Sequence, residues 1–126
     1  MREPRRPWNL LASAYHAYSG LLWVAPRTPS LQLGIALVLV VVGVGFVLRF
    51  TLVEIGLLVM SGTLLLAVET LNTALEMLCD HLHPHPDATI GKVKDVAAGA
   101  SALCEIGGGI VLLLVLVPHV LRWLGH

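Results

Sequence analysis

The sequence predicts an all-α integral membrane protein, with three transmembrane helices preceded by an N-terminal amphipathic surface helix. Three observations predict it. Of the 126 residues, 56% are hydrophobic and only 13% are charged, against about 25% charged in a soluble domain. Three apolar stretches are each long enough to cross a bilayer. Ahead of them, apolar and aromatic residues recur at helical spacing without forming a continuous apolar run.

The surface helix is expected at about 7–25. Trp8, Leu11, Tyr15, Tyr18 and Leu22 recur at steps of three and four, with His16 and Ser19 between them. Such a stripe suits a helix lying in the headgroup layer, where tryptophan and tyrosine are favoured. Pro26 and Pro29 then break the helix. Arg5 and Arg6 are not followed by a short apolar run, so no cleavable signal peptide is expected.

The first span is expected at 31–49. Residues 31–48 carry one strongly polar side chain, Gln32, and 18 residues make about 27 Å of helix. The second is expected at 52–80, and its last part is more polar. The third is expected at 94–124, interrupted by Ser101, Glu105 and Pro118. Unpaired backbone groups are too costly in lipid for anything but helix here. Ala97–Ser101 and Gly107–Gly109 are small residues that would let neighbouring backbones approach, a packing signal. Cys79 and Cys104 read as reduced thiols inside apolar stretches.

Orientation follows from basic residues. Arg2, Arg5, Arg6, Arg27, Lys92 and Lys94 would lie on one side, Arg49 and Arg122 on the other. Six against two places the N-terminus and the 81–93 loop in the cytoplasm. Formal charge is balanced, so no basic field draws nucleic acid.

Glu69, Asn72, Glu76 and Asp80 are spaced by three, four and four and share one helical face. Ionisable residues in a membrane span are costly and mark function by default. Carboxylates a turn or two apart can hold a divalent cation and accept a proton. Hydrogen bonding between helices is the competing reading. Lys92, Lys94 and Asp95 are read as opening the third helix. A lysine opposes the macrodipole there, which a bound phosphate would explain. A positive-inside anchor explains Lys92 equally, and Asp95 alone could be an N-cap. Glu105 falls on the face of Lys94 at about the depth of Glu69, and a structural role is expected for it. His81, His83 and His85 alternate with Leu82 and Pro84, which reads as a rigid loop more than a metal site. Neither of the common glycine-rich nucleotide loops occurs.

Glu69-Thr70-Leu71-Asn72-Thr73-Ala74-Leu75-Glu76, followed by Asp80, resembles a motif of the prokaryotic diacylglycerol and undecaprenol kinases. His85-Pro86 and the run from Gly91 through Lys94-Asp95 to Ala100 are similar to that family's second motif. The resemblance implies a homotrimer with active sites shared between subunits. It implies transfer of the γ-phosphoryl of MgATP to a lipid hydroxyl, diacylglycerol or undecaprenol, at the cytoplasmic membrane interface. It makes Glu69 the base, supported by Asn72. Glu76 becomes the Mg²⁺ ligand, and Lys94 and Asp95 the residues that serve ATP. The chain departs from the family at Thr28, where a glutamate is common, and at Gly34. One carboxylate fewer implies a raised Mg²⁺ requirement. A non-catalytic trimeric scaffold of the same descent, and less readily a small proton-coupled transporter, are the alternatives.

Overall fold

The computed structural model describes residues 9–125; the expectations for Arg2, Arg5, Arg6 and Trp8 lie outside them. Four α-helices follow in order: α1 (Leu10–Val24), α2 (Pro29–Val47), α3 (Leu52–Leu82) and α4 (Ala88–Leu124). A 3₁₀ turn, Ala25–Arg27, joins the first two. The described residues form no strand. α2, α3 and α4 are each long and apolar enough to cross a membrane.

α1 starts at Asn9, whose side chain accepts a hydrogen bond from Leu11 N at 3.1 Å. Only Val24 of this helix is buried. Leu11, Tyr15, Tyr18 and Leu22 stay exposed and available to an interface. The 3₁₀ turn is tied back by Arg27, which donates to Trp23 O and stacks over the Trp23 ring. Pro29 then occupies the first turn of α2, where its missing N–H costs nothing.

The turn between α2 and α3 is a Schellman closure built without the usual glycine. Arg49 takes the left-handed position, φ 57°. Phe50 N donates to Gly45 O at 2.9 Å and Arg49 N to Phe46 O at 3.4 Å. The Phe50 ring folds onto Gly45, where a Cβ would sit 2.8 Å from it. Thr51 and Glu54 then form a reciprocal capping box that starts α3. Phe50, Leu58 and Val115 make the small buried core at this end.

α4 starts six residues earlier than the sequence suggested. Asp87 is its N-cap, and its carboxylate accepts from Thr89 N at 2.8 Å and Ile90 N at 2.9 Å. Asp95 is therefore not the cap. With Asp87 holding the first N–H groups, nothing stops the helix running through Gly91 to Lys94. The connection to α3 shrinks to His83–Asp87. His83 closes α3 by donating its backbone N–H to Cys79 O.

α3 packs on both α2 and α4. The close approaches are at Gly34, where a Cβ would meet Leu66 at 3.0 Å, and at Gly62, where it would meet Val38 at 2.6 Å. Among the described residues, the α4 glycines expected to play that part do not do so. Gly99, Gly107, Gly108 and Gly109 have open space where a Cβ would stand. Most apolar side chains are exposed, Leu103 at 73% and Val96 at 75% for example, as expected where the solvent is hydrocarbon.

Candidate active site on the second and third spans

Regular helix carries Glu69, Asn72, Glu76 and Asp80 down one stripe of α3 toward its C-terminal end. Asn72 Nδ2 donates to Glu76 Oε1 at 3.4 Å, a long bond one turn apart. Asn72 Oδ1 is buried with no partner. Both residues are half-buried. The Lys94 ammonium crosses from α4 to Asp80 Oδ1 at 2.9 Å and also lies within the field of Glu76. Exposed pairs like Asp80–Lys94 contribute at most about 1 kcal/mol, so this contact reports the register of the two helices and does not hold it.

That bridge marks the antiparallel register of α3 and α4. Glu69 lies eleven residues before Asp80, and Glu105 eleven residues after Lys94. At 1.5 Å per residue both sit about 16 Å below the bridge. They line one open cavity of about 420 Å³ among α2, α3 and α4, with Ser30, Ser61 and Ser101 beside them. The expectation that Glu105 matches the depth of Glu69 agrees with this. The rest of the wall is apolar: Leu37, Val41, Leu58 and Leu112 among others.

The predicted residues therefore fall into a ladder. Asp80 and Lys94 are joined at the top, Glu76 and Asn72 stand in the middle, and Glu69 opens on the cavity below. Asp95 is not brought in. It is exposed, and no described residue bonds its side chain. Thr28 is half-buried at the N-cap position of α2, but its hydroxyl makes no capping bond. Lys94 lies six residues, about 9 Å, inside α4, so the helix terminus cannot assist it with an anion. His81, His83 and His85 are exposed. Among the described residues, no three His, Cys, Asp or Glu side chains are grouped to hold a metal.

Residues 15–116 match the family described as prokaryotic diacylglycerol kinase. The chain belongs to that family. It is a multi-pass membrane protein of a lipid kinase family. No single curated protein matches the chain significantly. The match spans α2 and α3 whole and most of α1 and α4, so it takes in both halves of the ladder.

Sequence reasoning missed three features. Ser101 was read as packing, yet its Oγ is buried without a partner. Asp87 was passed over as the cap, although Asp87-Ala88-Thr89-Ile90 after Pro86 is a readable helix start. The Glu54 and His119 pair, 3.6 Å apart, joins residues remote in sequence and left no local signal.

Proposed function

We propose that the chain is a lipid kinase transferring the γ-phosphoryl of ATP to a membrane lipid hydroxyl, with Mg²⁺, at the cytoplasmic interface. The observation that carries this reading is the ladder itself. A cation, Lys94, faces Glu76 and Asp80 across the α3–α4 seam, and the same stripe descends to a carboxylate in an apolar cavity. Phosphoryl transfer asks for positive charge, a metal and positioning, and little covalent chemistry from the protein.

In this reading Lys94 leaves Asp80 to engage the nucleotide phosphates. Glu69 accepts the proton of the lipid hydroxyl. Asn72 holds Glu76 through its amide N–H, while its buried Oδ1 stays free to accept a donor. Glu76 fits a Mg²⁺ ligand: a half-buried carboxylate with one oxygen oriented by Asn72 and the other unbonded within the described residues. Mg²⁺ commonly rests on one or two carboxylates plus phosphate oxygens, so the lack of a three-residue cluster agrees with it. Bound there, the ion would neutralise charge on the transferred group. Asp95 serves the nucleotide from a neighbouring subunit. The open faces at Gly99 and Gly107 support packing against further copies, a homotrimer with shared sites. The basic asymmetry supports a cytoplasmic N-terminus. The acceptor is diacylglycerol or undecaprenol.

The test is ATP-dependent phosphorylation of an extracted lipid mixture by the purified protein. A labelled lipid is expected, and its identity names the acceptor. Thr28, in place of a common acidic residue, favours the second reading, a non-catalytic scaffold. Folded protein that labels no lipid at any Mg²⁺ concentration establishes the scaffold instead.

A further inference from the structure

The end of the bundle away from the candidate site holds a buried histidine. His119 is 8% exposed. Its Nε2 lies 3.6 Å from Glu54 Oε2, across the seam between α3 and α4. Its Nδ1 lies 2.9 Å from Val115 O. A carbonyl oxygen only accepts, so Nδ1 carries a hydrogen, and in a neutral ring Nε2 is then a bare lone pair. The oxygen opposite is also an acceptor. Glu54 Oε2 takes hydrogen bonds from Thr51 N at 2.7 Å and Thr51 Oγ at 2.8 Å. A neutral ring therefore sets a lone pair against a carboxylate at a site with little water. A second ring proton turns the same contact into an attraction. The centroid of the Phe50 ring, 4.5 Å away, lies within cation–π range of a charged imidazole.

The backbone gives this contact a task. Pro118, next to His119, has no N–H, so Leu114 O loses its helical donor. Past that break, Arg122 Nε ties the last turns to Pro118 O at 3.2 Å, within α4 itself. The His119–Glu54 pair ties them across to α3. Few other charges act here. α2 has no titratable residue, and the turn before α3 has only Arg49, which is exposed. Residues 52–68 of α3 hold only Glu54, and residues 106–124 of α4 only His119 and Arg122. Arg122 lies within the field of Glu54 and keeps its charge throughout.

We propose that Glu54 and His119 form a proton-operated staple. With both ring nitrogens protonated, it fastens the end of α4 beyond Pro118 to α3; without the second proton it releases that end. The staple lies at the opposite end of the bundle from Glu76 and Lys94, so it does not rest on the kinase reading. In the proposed orientation it answers to acidity outside the cytoplasm.

The experiment is reversible unfolding of the full chain in mixed micelles at about pH 5 and about pH 8, the range in which imidazole changes charge. The second proton meets Glu54 only in the folded state, so stability should fall as pH rises. Wild type is expected to lose about tenfold in its folded-to-unfolded ratio beyond any loss in the variants. In His119→Gln an amide N–H faces Glu54 at every pH, so the excess should vanish. Glu54→Gln keeps the capping box and removes the carboxylate, so it should vanish there too. Responses from His16, His81, His83 and His85 are common to all three proteins. A wild type with no excess overturns the proposal, as does the same excess in His119→Gln. If His119→Gln does not fold, ¹⁵N shifts of the wild-type ring decide alongside Glu54→Gln. A hydrogen on Nδ1 alone near pH 8, joined by one on Nε2 near pH 5, upholds the staple if Glu54→Gln also loses the excess. A hydrogen on Nε2 alone near pH 8, or unchanged protonation across the range, overturns it.

Discussion

At the α2–α3 end of the bundle the polar groups find partners within the chain. Thr51 and Glu54 cap α3 reciprocally. The Glu54 carboxylate also lies 3.6 Å from His119 Nε2. His119 Nδ1 donates to Val115 O at 2.9 Å, and its ring packs 4.5 Å from that of Phe50. At the α3–α4 end the pattern reverses. Asn72 Oδ1 and Ser101 Oγ are buried and unpaired, and no described residue bonds the side chains of Glu69 or Glu105. Asn72 reaches Glu76 through one long bond of 3.4 Å, and Asp80 and Lys94 are joined in an exposed pair. Buried polar groups are nearly always satisfied. A network completed at one end and open at the other agrees with the site proposed at the open end.

The strongest way to test this contrast is to remove charge where the network is open. Glu76→Gln keeps the shape and the Asn72 contact but removes the anion. Lipid kinase activity is expected to fall by about 100-fold or more, with membrane insertion and oligomeric state unchanged in detergent. Near-normal turnover would end the assignment of Glu76 as metal ligand.

The closed end should respond in stability instead. Phe50→Ala empties the core around Leu58 and Val115 and removes the ring under His119. Because lipid is as apolar as the ring, the transfer contribution largely cancels and the cavity contribution remains, about 1–2 kcal/mol. Reversible unfolding in mixed micelles measures it. Turnover per folded molecule should stay the same. An unfolding midpoint equal to wild type would show that this end is not the anchor.

Thr28 refines the open end. Its hydroxyl caps nothing, so Thr28→Glu costs no cap. On the family resemblance, which sets position 28 against Glu76, an added carboxylate should lower the Mg²⁺ concentration for half-maximal activity, by about threefold. A wild type with an ordinary Mg²⁺ requirement, unmoved by Thr28→Glu, would remove Thr28 from the metal site and point to Asp80 or Glu69.

The spans were legible because apolar length alone decides them. The α3 stripe was legible because three- and four-residue spacing survives in any regular helix. Where α4 starts was misjudged because Lys92, Lys94 and Asp95 look like a helix opening, while the true cap stands behind Pro86. The Arg49 turn was hidden because the left-handed position is usually marked by glycine. The unpaired state of Ser101 depends on what surrounds it in space, and no local pattern encodes that. The small-residue runs were legible as packing signals, but among the described residues nothing packs against Gly99, Gly107, Gly108 or Gly109.

The smallest effect belongs to Asp87, which lies between α3 and α4, outside the spans. Hydrogen bonds from the backbone N–H groups of Ile90 and Thr89 hold its carboxyl below the usual carboxylate value. A depressed folded value means that the cap stabilises fully above the unfolded value, about 3.9. That stabilisation is lost as pH falls through the folded value. Asp87→Asn keeps an acceptor for the same two bonds but cannot titrate. Amide exchange over the first turn of α4, corrected for intrinsic rates, should therefore match between wild type and variant near pH 6. Near pH 3 the wild type should exchange faster, and the gap should close when pH is restored. The same pH response in both proteins would mean that Asp87 does not govern the start of α4. The position of Lys94 opposite Asp80 would then owe nothing to the cap and depend on the α3–α4 packing alone.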